Sequence, residues 1–114
     1  MKYIIGVFIV VVASSFLMKP APTNLRITTL NELGNVEDSV EVTLFRTVQD
    51  YREEVNPVMQ AQFTDLKGRT TFKGLEPIKY YIHAEKGDKS NVGGGVETDT
   101  LEEGKINKLT IIIE

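Results

Sequence analysis

The stretch Lys79-Tyr80-Tyr81-Ile82-His83-Ala84-Glu85 decides the fold class, because two kinds of side chain alternate along its whole length. Tyr80, Ile82 and Ala84 fall on one side of an extended chain, and the intervening, mostly polar residues fall on the other. This period of two is typical of a β-strand that buries one face and exposes the other. The stretch therefore predicts a sheet with one face packed against a core.

Similar alternation recurs on both sides of this stretch. The residues expected to face the core in two further strands are Val40, Val42, Leu44, Leu109, Ile111 and Ile113. Additional strands are predicted at residues 25–30, 58–64 and 70–72. A hairpin turn is predicted at residues 65–68, and only residues 49–54, before Pro57, fit a helical turn. Short strands at this spacing predict an all-β, antiparallel β-sandwich of about seven strands.

The composition suits one folded globular domain and excludes several chemistries. The chain has 114 residues, of which 41% are hydrophobic and 25% charged, and it contains no cysteine and one histidine, His83. Disulfides, thiolate catalysis, cysteine-ligated zinc and multi-histidine metal sites are therefore excluded. The sequence has no nucleophile signature and no basic stripe. We therefore expect that the protein is not an enzyme and that it has no cofactor, no bound metal and no nucleic-acid partner.

The N-terminal residues read as an export signal rather than as part of the fold. Lys2 precedes an apolar run from Ile4 to Met18, which is shorter than the roughly 20 residues that a membrane-spanning helix needs. A short positive end followed by such a run is the layout of a secretory signal peptide. Export would place the protein in the periplasm, on the outer surface or outside the cell.

Three parts of the chain are predicted on this basis. Residues 1–19 are a signal peptide or an N-terminal membrane anchor, residues 20–24 are a proline-containing linker, and residues 25–114 are the β-sandwich. Removal of the first part takes away Lys2 and Lys19 and no acidic residue, so the net charge changes from −3 to −5. The exported domain is therefore acidic overall.

Several motifs occur in an order that resembles a known family. They are Leu25 to Ile27, Gly34, Val40-x-Val42-x-Leu44, Thr64-Asp65-x-x-Gly68, Thr71-Phe72 and Gly74-Leu75-x-Pro77-x-x-Tyr80-x-Ile82. Together they resemble the transthyretin-like β-sandwich over residues 25–114, a group that includes carboxypeptidase regulatory-like domains and the B-type repeats of collagen adhesins. The tail from Ala84 to Lys108 is similar to small exported proteins of Bacteroidetes type. The resemblance implies a fold rather than an activity, because such sandwiches serve as spacers and as binding modules.

Single positions carry further expectations. Independently of the resemblance, Tyr80 is expected to point inward, with its hydroxyl bonded to a partner as in a tyrosine corner. Ile78 stands where the family often has glycine, so the turn before Tyr80 is expected to differ. Some adhesin repeats form an intramolecular isopeptide bond through a first-strand lysine. Thr29 stands at about that position here, so we expect no such crosslink.

Tyr51, Tyr81 and His83 are the candidate ligand-binding residues. Tyr81 and His83 share the polar face of one predicted strand, although an ordinary solvent-facing position explains them as well. Phe45 with the two tyrosines would form an aromatic platform for sugars if the three rings cluster on the surface. That arrangement would make the protein a carbohydrate-binding module.

Residues 88–99 match part of the spacing of a calcium-binding loop. The matching residues are Asp88, Ser90, Gly93 and Asp99. Val92, however, stands at a position that needs a side-chain oxygen, and Asp99 is shorter than the glutamate such loops use. We interpret the segment as a glycine-rich loop between strands and predict no metal site there.

The sequence therefore predicts a non-catalytic, exported β-sandwich that acts as an accessory or protein-interaction module in the cell envelope. Exposed sheet edges would supply its contact surface. The alternative is a carbohydrate-binding module. The expected partner is an envelope protein or a polysaccharide, and contact with a membrane is expected only through residues 1–19, if they are retained.

Overall fold

The computed structural model describes residues 20–114, and the predicted signal peptide or anchor lies outside these residues. Within them, no helix has the length and apolar character needed to cross a membrane. The first strand begins at Asn24, one residue before the predicted start of the sandwich.

Residues 20–114 fold into two packed sheets and one short helix. The elements are β1 (Asn24–Leu30), β2 (Glu41–Phe45), α1 (Val48–Glu53), β3 (Gln62–Phe63), β4 (Arg69–Phe72), β5 (Tyr81–Lys86), β6 (Lys89–Ser90) and β7 (Ile106–Ile112). The three-stranded sheet has the order β4–β1–β7, and the four-stranded sheet has the order β3–β2–β5–β6. The described chain is thus the all-β sandwich that the alternation predicted.

One strand pair departs from the antiparallel arrangement that the sequence predicted. β1 and β7 run parallel, in register from Asn24 beside Ile106 to Leu30 beside Ile112. The other paired strands of both sheets are antiparallel. The prediction of a fully antiparallel sandwich is therefore wrong at this pair. Alternation reports which face a side chain occupies, and it carries no information about strand direction.

Two local predictions also differ from the structure. The turn at residues 65–68 is present, with the Gly68 amide donating to the Asp65 carbonyl (2.8 Å). It leads from β3 in one sheet to β4 in the other, so it is a crossover and not a hairpin. The strand predicted at 58–64 is reduced to β3, because Val58 and Met59 lie in a bend and pack against the core.

The core lies between the inner faces of the two sheets. Its buried apolar side chains are Leu25, Ile27, Val40, Val42, Leu44, Phe72, Leu75, Tyr80, Ile82, Ala84, Leu101, Ile111 and Ile113. Leu109 is half-buried at the margin of this cluster. The inward faces predicted from alternation are therefore confirmed. Burial of each large apolar side chain contributes about 1.5–3 kcal/mol, so this layer is the main source of stability.

Tyr80 forms the predicted corner at the start of β5. Its hydroxyl donates to the Glu76 carbonyl and accepts from the Glu76 amide, both at 3.1 Å. Burial is the main reason that the pKa of this phenol is raised. The ring is fully buried, so these two bonds satisfy a hydroxyl that would otherwise be unpaired in the core. Ile78, in the turn before Tyr80, packs against the core.

Gly68 occupies a tight position between the two sheets. Its φ is 73°, a left-handed value that favours glycine. A Cβ at this position would lie 2.8 Å from the carbonyl oxygen of Thr29. The buried Thr29 hydroxyl donates to the Glu37 carbonyl (2.8 Å), and its register neighbour on β7 is Ile111. The Thr29 hydroxyl is thus held within the fold at this contact.

Candidate functional site

Helix α1 lies against the outer face of the four-stranded sheet, where it contacts β2 and β5. The Thr47 hydroxyl caps its start by accepting a hydrogen bond from the Asp50 amide (3.0 Å). Glu54 ends the helix with a left-handed φ of 54°. The observed helix matches the predicted helical turn to within one residue. It places Tyr51 over the strands.

The Tyr51 ring packs against two outward-pointing rings of this sheet. It meets Phe45 edge-on, with ring centroids 6.1 Å apart and an interplanar angle of 79°. It meets His83 in the same way, at 6.2 Å and 70°. Phe45 is left only 3% exposed. The helix therefore converts part of an outward face into a second, smaller apolar layer.

His83 and Tyr51 line a shallow depression of about 300 Å³, together with Arg52, Glu54 and Val92. The His83 Nδ1 atom lies 3.7 Å from a Glu54 carboxylate oxygen, and the His83 side chain is 16% exposed. Burial, with a smaller contribution from the Glu54 charge, raises the pKa of Tyr51. Its phenol therefore stays neutral at physiological pH. The lining carries charges of both signs and no serine, threonine or cysteine.

The structure brings together two of the three predicted ligand-face residues. Tyr51 and His83 are in contact, whereas Tyr81 lies one pair further along β5, opposite Phe45. Tyr81 is half-buried and is bridged on its other side to Glu97. An aromatic platform that includes Phe45 is not present, because that ring is buried and meets Tyr51 edge-on. The rings therefore do not meet the condition that the carbohydrate alternative sets.

Residues 88–99 have a structural role that the sequence analysis missed. Asn91 is buried, and its side chain accepts from the Ala84 amide (3.0 Å) and donates to the Ile82 carbonyl (2.9 Å). It also donates to the Gly95 carbonyl (3.2 Å). Asn91 thus supplies hydrogen-bond partners to the backbone of β5 beyond the point where β6 ends. No cluster of three or more metal-ligating His, Asp or Glu side chains occurs between residues 20 and 114.

The outer edge of β7 is the longest unpaired strand edge in the described sandwich. At one end of the β1–β7 pair the Asn24 amide donates to the Lys105 carbonyl (3.0 Å), and at the other end the Ile113 amide donates to the Leu30 carbonyl (2.9 Å). Backbone groups of successive strand residues point in opposite directions. The odd-numbered residues of β7 therefore bond to β1, and Lys108, Thr110 and Ile112 direct their amide and carbonyl groups outward.

These outward groups form a free edge with defined limits. No hydrogen bond joins the backbone or side chain of Lys108, Thr110 or Ile112 to another group on that side within residues 20–114. Beyond Ile112, Glu114 exchanges two backbone hydrogen bonds with Ser90 of β6 (3.0 and 3.2 Å). Ile112 is itself 53% exposed. The three residues form what we call the free edge of β7.

Two small grooves lie along the free edge. One, of about 130 Å³, is lined by Leu25, Leu101 and Leu109 and by polar or charged residues that include Asp99 and Lys108. The other, of about 240 Å³, is lined by residues 94–95, by residues 110–112 and by Glu114. A strand laid along the free edge would contact both grooves.

The remaining edges of the sandwich are shorter. β3 and β6 have two residues each and β4 has four, whereas β7 has seven. The Thr70 hydroxyl of β4 donates to the Gln62 side chain of β3 (2.6 Å), which ties the two sheets together at that side. β6 is held by Glu114. Hydrogen bonds therefore join the two sheets at two places, between β3 and β4 and between β6 and Glu114, whereas β7 keeps its free edge from Lys108 to Ile112.

Comparisons with known proteins give a fold and no family. No family model matches the chain, and no curated protein matches it. Among solved structures, the Bacillus anthracis TIE protein is similar, with a TM-score of 0.57 and 18% sequence identity. The match covers 82% of this chain and 16% of that protein. At this identity the likeness concerns the fold alone, and it agrees with the β-sandwich seen here.

Proposed function

We propose that this protein is a non-catalytic, exported β-sandwich of transthyretin-like type that acts as an interaction module in the cell envelope. In this proposal it binds an extended segment of another protein along the free edge of β7. The observation that carries the proposal is the set of outward backbone groups at Lys108, Thr110 and Ile112, which have no partner within residues 20–114. An added strand would satisfy these groups in the way that other sheet edges bind peptides.

The location and the family rest on different observations. Export rests on the charged start and apolar run of residues 1–18. The transthyretin-like type rests on the order of the motifs between Leu25 and Ile82 and on the corner formed by Tyr80 and Glu76. A non-catalytic role is supported by the depression at His83, which is shallow and of mixed charge.

The arrangement of the aromatic rings does not support the carbohydrate-binding alternative. Sugar-binding surfaces use exposed ring faces, and Phe45 is buried beneath Tyr51. Tyr51 and His83 meet edge to face and do not form a flat stacking surface. We therefore carry forward only the protein-interaction proposal.

Site-specific photocrosslinking at two strand edges tests this proposal. A photoreactive phenylalanine derivative replaces either Ile112 on the free edge or Arg69 on β4, at the opposite edge of the same sheet. The full chain is expressed in the cells that normally make it. We expect an adduct of one defined mass from position 112 and none from position 69.

A pair of proline variants supplies the control. Thr110→Pro removes an amide that points out from β7, and Thr71→Pro removes one that points out from β4. Both are expected to fold, because neither amide bonds within the sheet. Thr110→Pro should abolish the adduct and Thr71→Pro should leave it. The proposal fails if no adduct forms, if both edges give the same adduct, or if Thr110→Pro leaves the adduct intact while the variant is folded.

A further inference from the structure

The face next to the free edge of β7 points to the chemistry of the strand that binds there. Resting on the function proposed above, we propose that this strand is acidic, with Asp or Glu at the alternate positions that share a face with Lys108 and Arg26. The partner is thus a polypeptide segment with alternating carboxylate and small uncharged side chains.

The outer face of the three-stranded sheet carries cations and no carboxylates. None of the residues of β1, β4 and β7 is aspartate or glutamate. The outward side chains of this sheet include Arg26, Arg69 and Lys108, several threonines, and the exposed Ile106 and Ile112 of β7. Residues 20–114 as a whole carry more acidic than basic residues. The sheet is therefore a basic face on an acidic domain.

The cations on this face have no carboxylate partners. Five basic residues elsewhere in the described chain lie within 4.0 Å of a carboxylate. Arg26, Arg69 and Lys108 are not among the ion pairs of residues 20–114, and residues 1–19 contain no aspartate or glutamate that could supply one. Charges without internal partners are available to a ligand.

Lys108 and Arg26 are the two cations closest to an incoming strand. They are register neighbours on adjacent strands, and both point to the outer face. A strand added to β7 would lie about 4.8 Å from it, with its outer side chains opposite those of Lys108 and Thr110. Cross-strand pairs at this distance are favourable for opposite charges and unfavourable for like charges. Arg69 lies two strands further away, so Lys108 has the largest influence and Arg26 the next.

The inner side of the same strand meets different surroundings. The two grooves beside β7, of about 130 and 240 Å³, combine leucines, Ile111 and glycines with polar groups that include the carboxylates of Asp99 and Glu114. Small uncharged side chains suit this space, because a further carboxylate there would meet a like charge. Alternation of a carboxylate on one face with a small uncharged group on the other is what a single β-strand can present.

A second copy of this chain fits the edge less well. Pairing β7 with its own copy would extend the sheet with another face that contains Lys108 and Arg26 and no carboxylate. A lysine on an edge strand is also a common feature that discourages self-pairing. Charge complementarity therefore favours an acidic partner segment over self-association.

Two synthetic peptides test the proposal. In one, glutamate alternates with valine, and in the other lysine replaces each glutamate. Each is titrated into the full chain in a non-ionic detergent, at low salt. We expect the glutamate peptide to bind about tenfold more tightly than the lysine peptide. Non-specific attraction to an acidic domain would give the opposite order, so the preference cannot come from net charge.

Charge-reversal variants locate the effect. Lys108→Glu should remove or invert the preference between the peptides. Lys67→Glu makes the same change in net charge at an exposed turn next to β4, on the far edge of the sheet, and should leave the preference intact. Thr110→Pro should abolish binding of both peptides, since it removes a backbone donor of the free edge.

The outcomes separate this proposal from the one on which it rests. If both peptides bind equally and Thr110→Pro abolishes both, strand addition stands and the acidic partner is wrong. If neither peptide binds, or if binding survives Thr110→Pro, both the strand-addition proposal and the acidic-partner proposal are wrong. Binding of dextran sulfate that depends on Lys108 and not on the Thr110 amide would also overturn it, in favour of an anionic polysaccharide. Dimerisation through β7 would contradict it in favour of a second copy.

Discussion

The outer faces of the two sheets have similar alternating sequences and very different surroundings. On the four-stranded sheet, Phe45 points outward and is nevertheless buried, because α1 folds back and lays Tyr51 over it. On the three-stranded sheet, Thr28 and Thr110 point outward from neighbouring strands with no described element above them. Whether an outward side chain of a sandwich is buried or exposed therefore depends on the segment that follows the strand, and not on the strand alone.

The difference assigns separate roles to the two faces. The four-stranded sheet uses its outer face for stability, through the small apolar layer under α1. The three-stranded sheet keeps its outer face and the free edge of β7 available. Four comparisons of matched variants test this division, beginning with the largest expected effect.

The first test compares one outward residue from each sheet. Phe45→Ala should lower the free energy of unfolding by about 3 kcal/mol, because it removes a buried ring and leaves a cavity beneath α1. Thr28→Ala should change it by no more than about 0.5 kcal/mol, as is usual for a surface position. Denaturant unfolding monitored by circular dichroism measures both. Equal, small losses would mean that α1 does not seal the outer face of the four-stranded sheet.

The second test compares asparagines at the edges of the two sheets. Asn91→Ala should cost about 2–3 kcal/mol, since it leaves the buried Ala84 amide and Ile82 carbonyl without partners. Asn107→Ala should cost about 1 kcal/mol, because its contacts to Glu102 are exposed and water can replace them. Thermal and denaturant unfolding of the two variants give the values. A larger loss at Asn107 would show that the start of β7 is more tightly held than its exposure indicates.

The third test concerns the connections that flank β4. Gly68→Ala should cost about 2 kcal/mol or more, from the left-handed backbone together with the close approach of a Cβ to the Thr29 carbonyl. Gly74→Ala should cost about 1 kcal/mol, since its φ is also positive but no atom lies within 4 Å of the added Cβ. The difference in unfolding free energy isolates the steric part. Equal losses would argue that the crossover at Gly68 relaxes freely.

The smallest expected effect is a loss of stability at low pH, caused by two carboxylates in the connections between the sheets. Hydrogen bonds from the Lys86 and Asn31 side chains lower the pKa of Glu37, and hydrogen bonds from the Arg69 and Lys67 amides lower the pKa of Asp65. Carboxylates with a lowered folded-state pKa stabilise the protein fully above their unfolded pKa, and this stability is lost as the pH falls through the folded pKa. The melting temperature should therefore decrease as the pH falls below about 4.5.

An amide variant checks the origin of that loss. Asp65→Asn keeps an acceptor for the two amides and removes the ionisable group, so the decrease in melting temperature on acidification should become smaller. Asp99→Asn is the matched control, since its exposed side chain makes no hydrogen bond within residues 20–114. If the two variants respond to acid identically, the Asp65 turn does not contribute to the acid dependence.

Features that depend on local periodicity were predictable from the sequence. The inward faces of β2, β5 and β7 follow from alternation, and the corner at Tyr80 follows from the motif before it. A half-buried strand requires apolar and polar side chains in alternation, so such a strand can be located from the sequence. The helical turn at α1 was found for a similar reason, from a short polar segment before Pro57.

Features that depend on which segments meet were not predictable. The contact between Tyr51 and His83 arises because α1 folds back over β5, which no spacing in the sequence encodes. The strand order that leaves β7 at an edge is equally invisible, although Lys108 in the middle of β7 was an available signal of an edge. Asn91 was overlooked because the spacing around it resembled part of a calcium loop.

The parallel pairing of β1 and β7 has a consequence for how the chain folds. It joins Asn24 to Ile106, near the two ends of the described sandwich, whereas β2, β5 and β6 pair over shorter separations. Contacts between distant residues form late, because closing a long loop has a large entropic cost. We therefore expect the four-stranded sheet to assemble first and the three-stranded sheet to be completed when β7 docks. Under this order the free edge forms in the final step of folding. A partner can therefore bind this edge only after β7 has paired with β1.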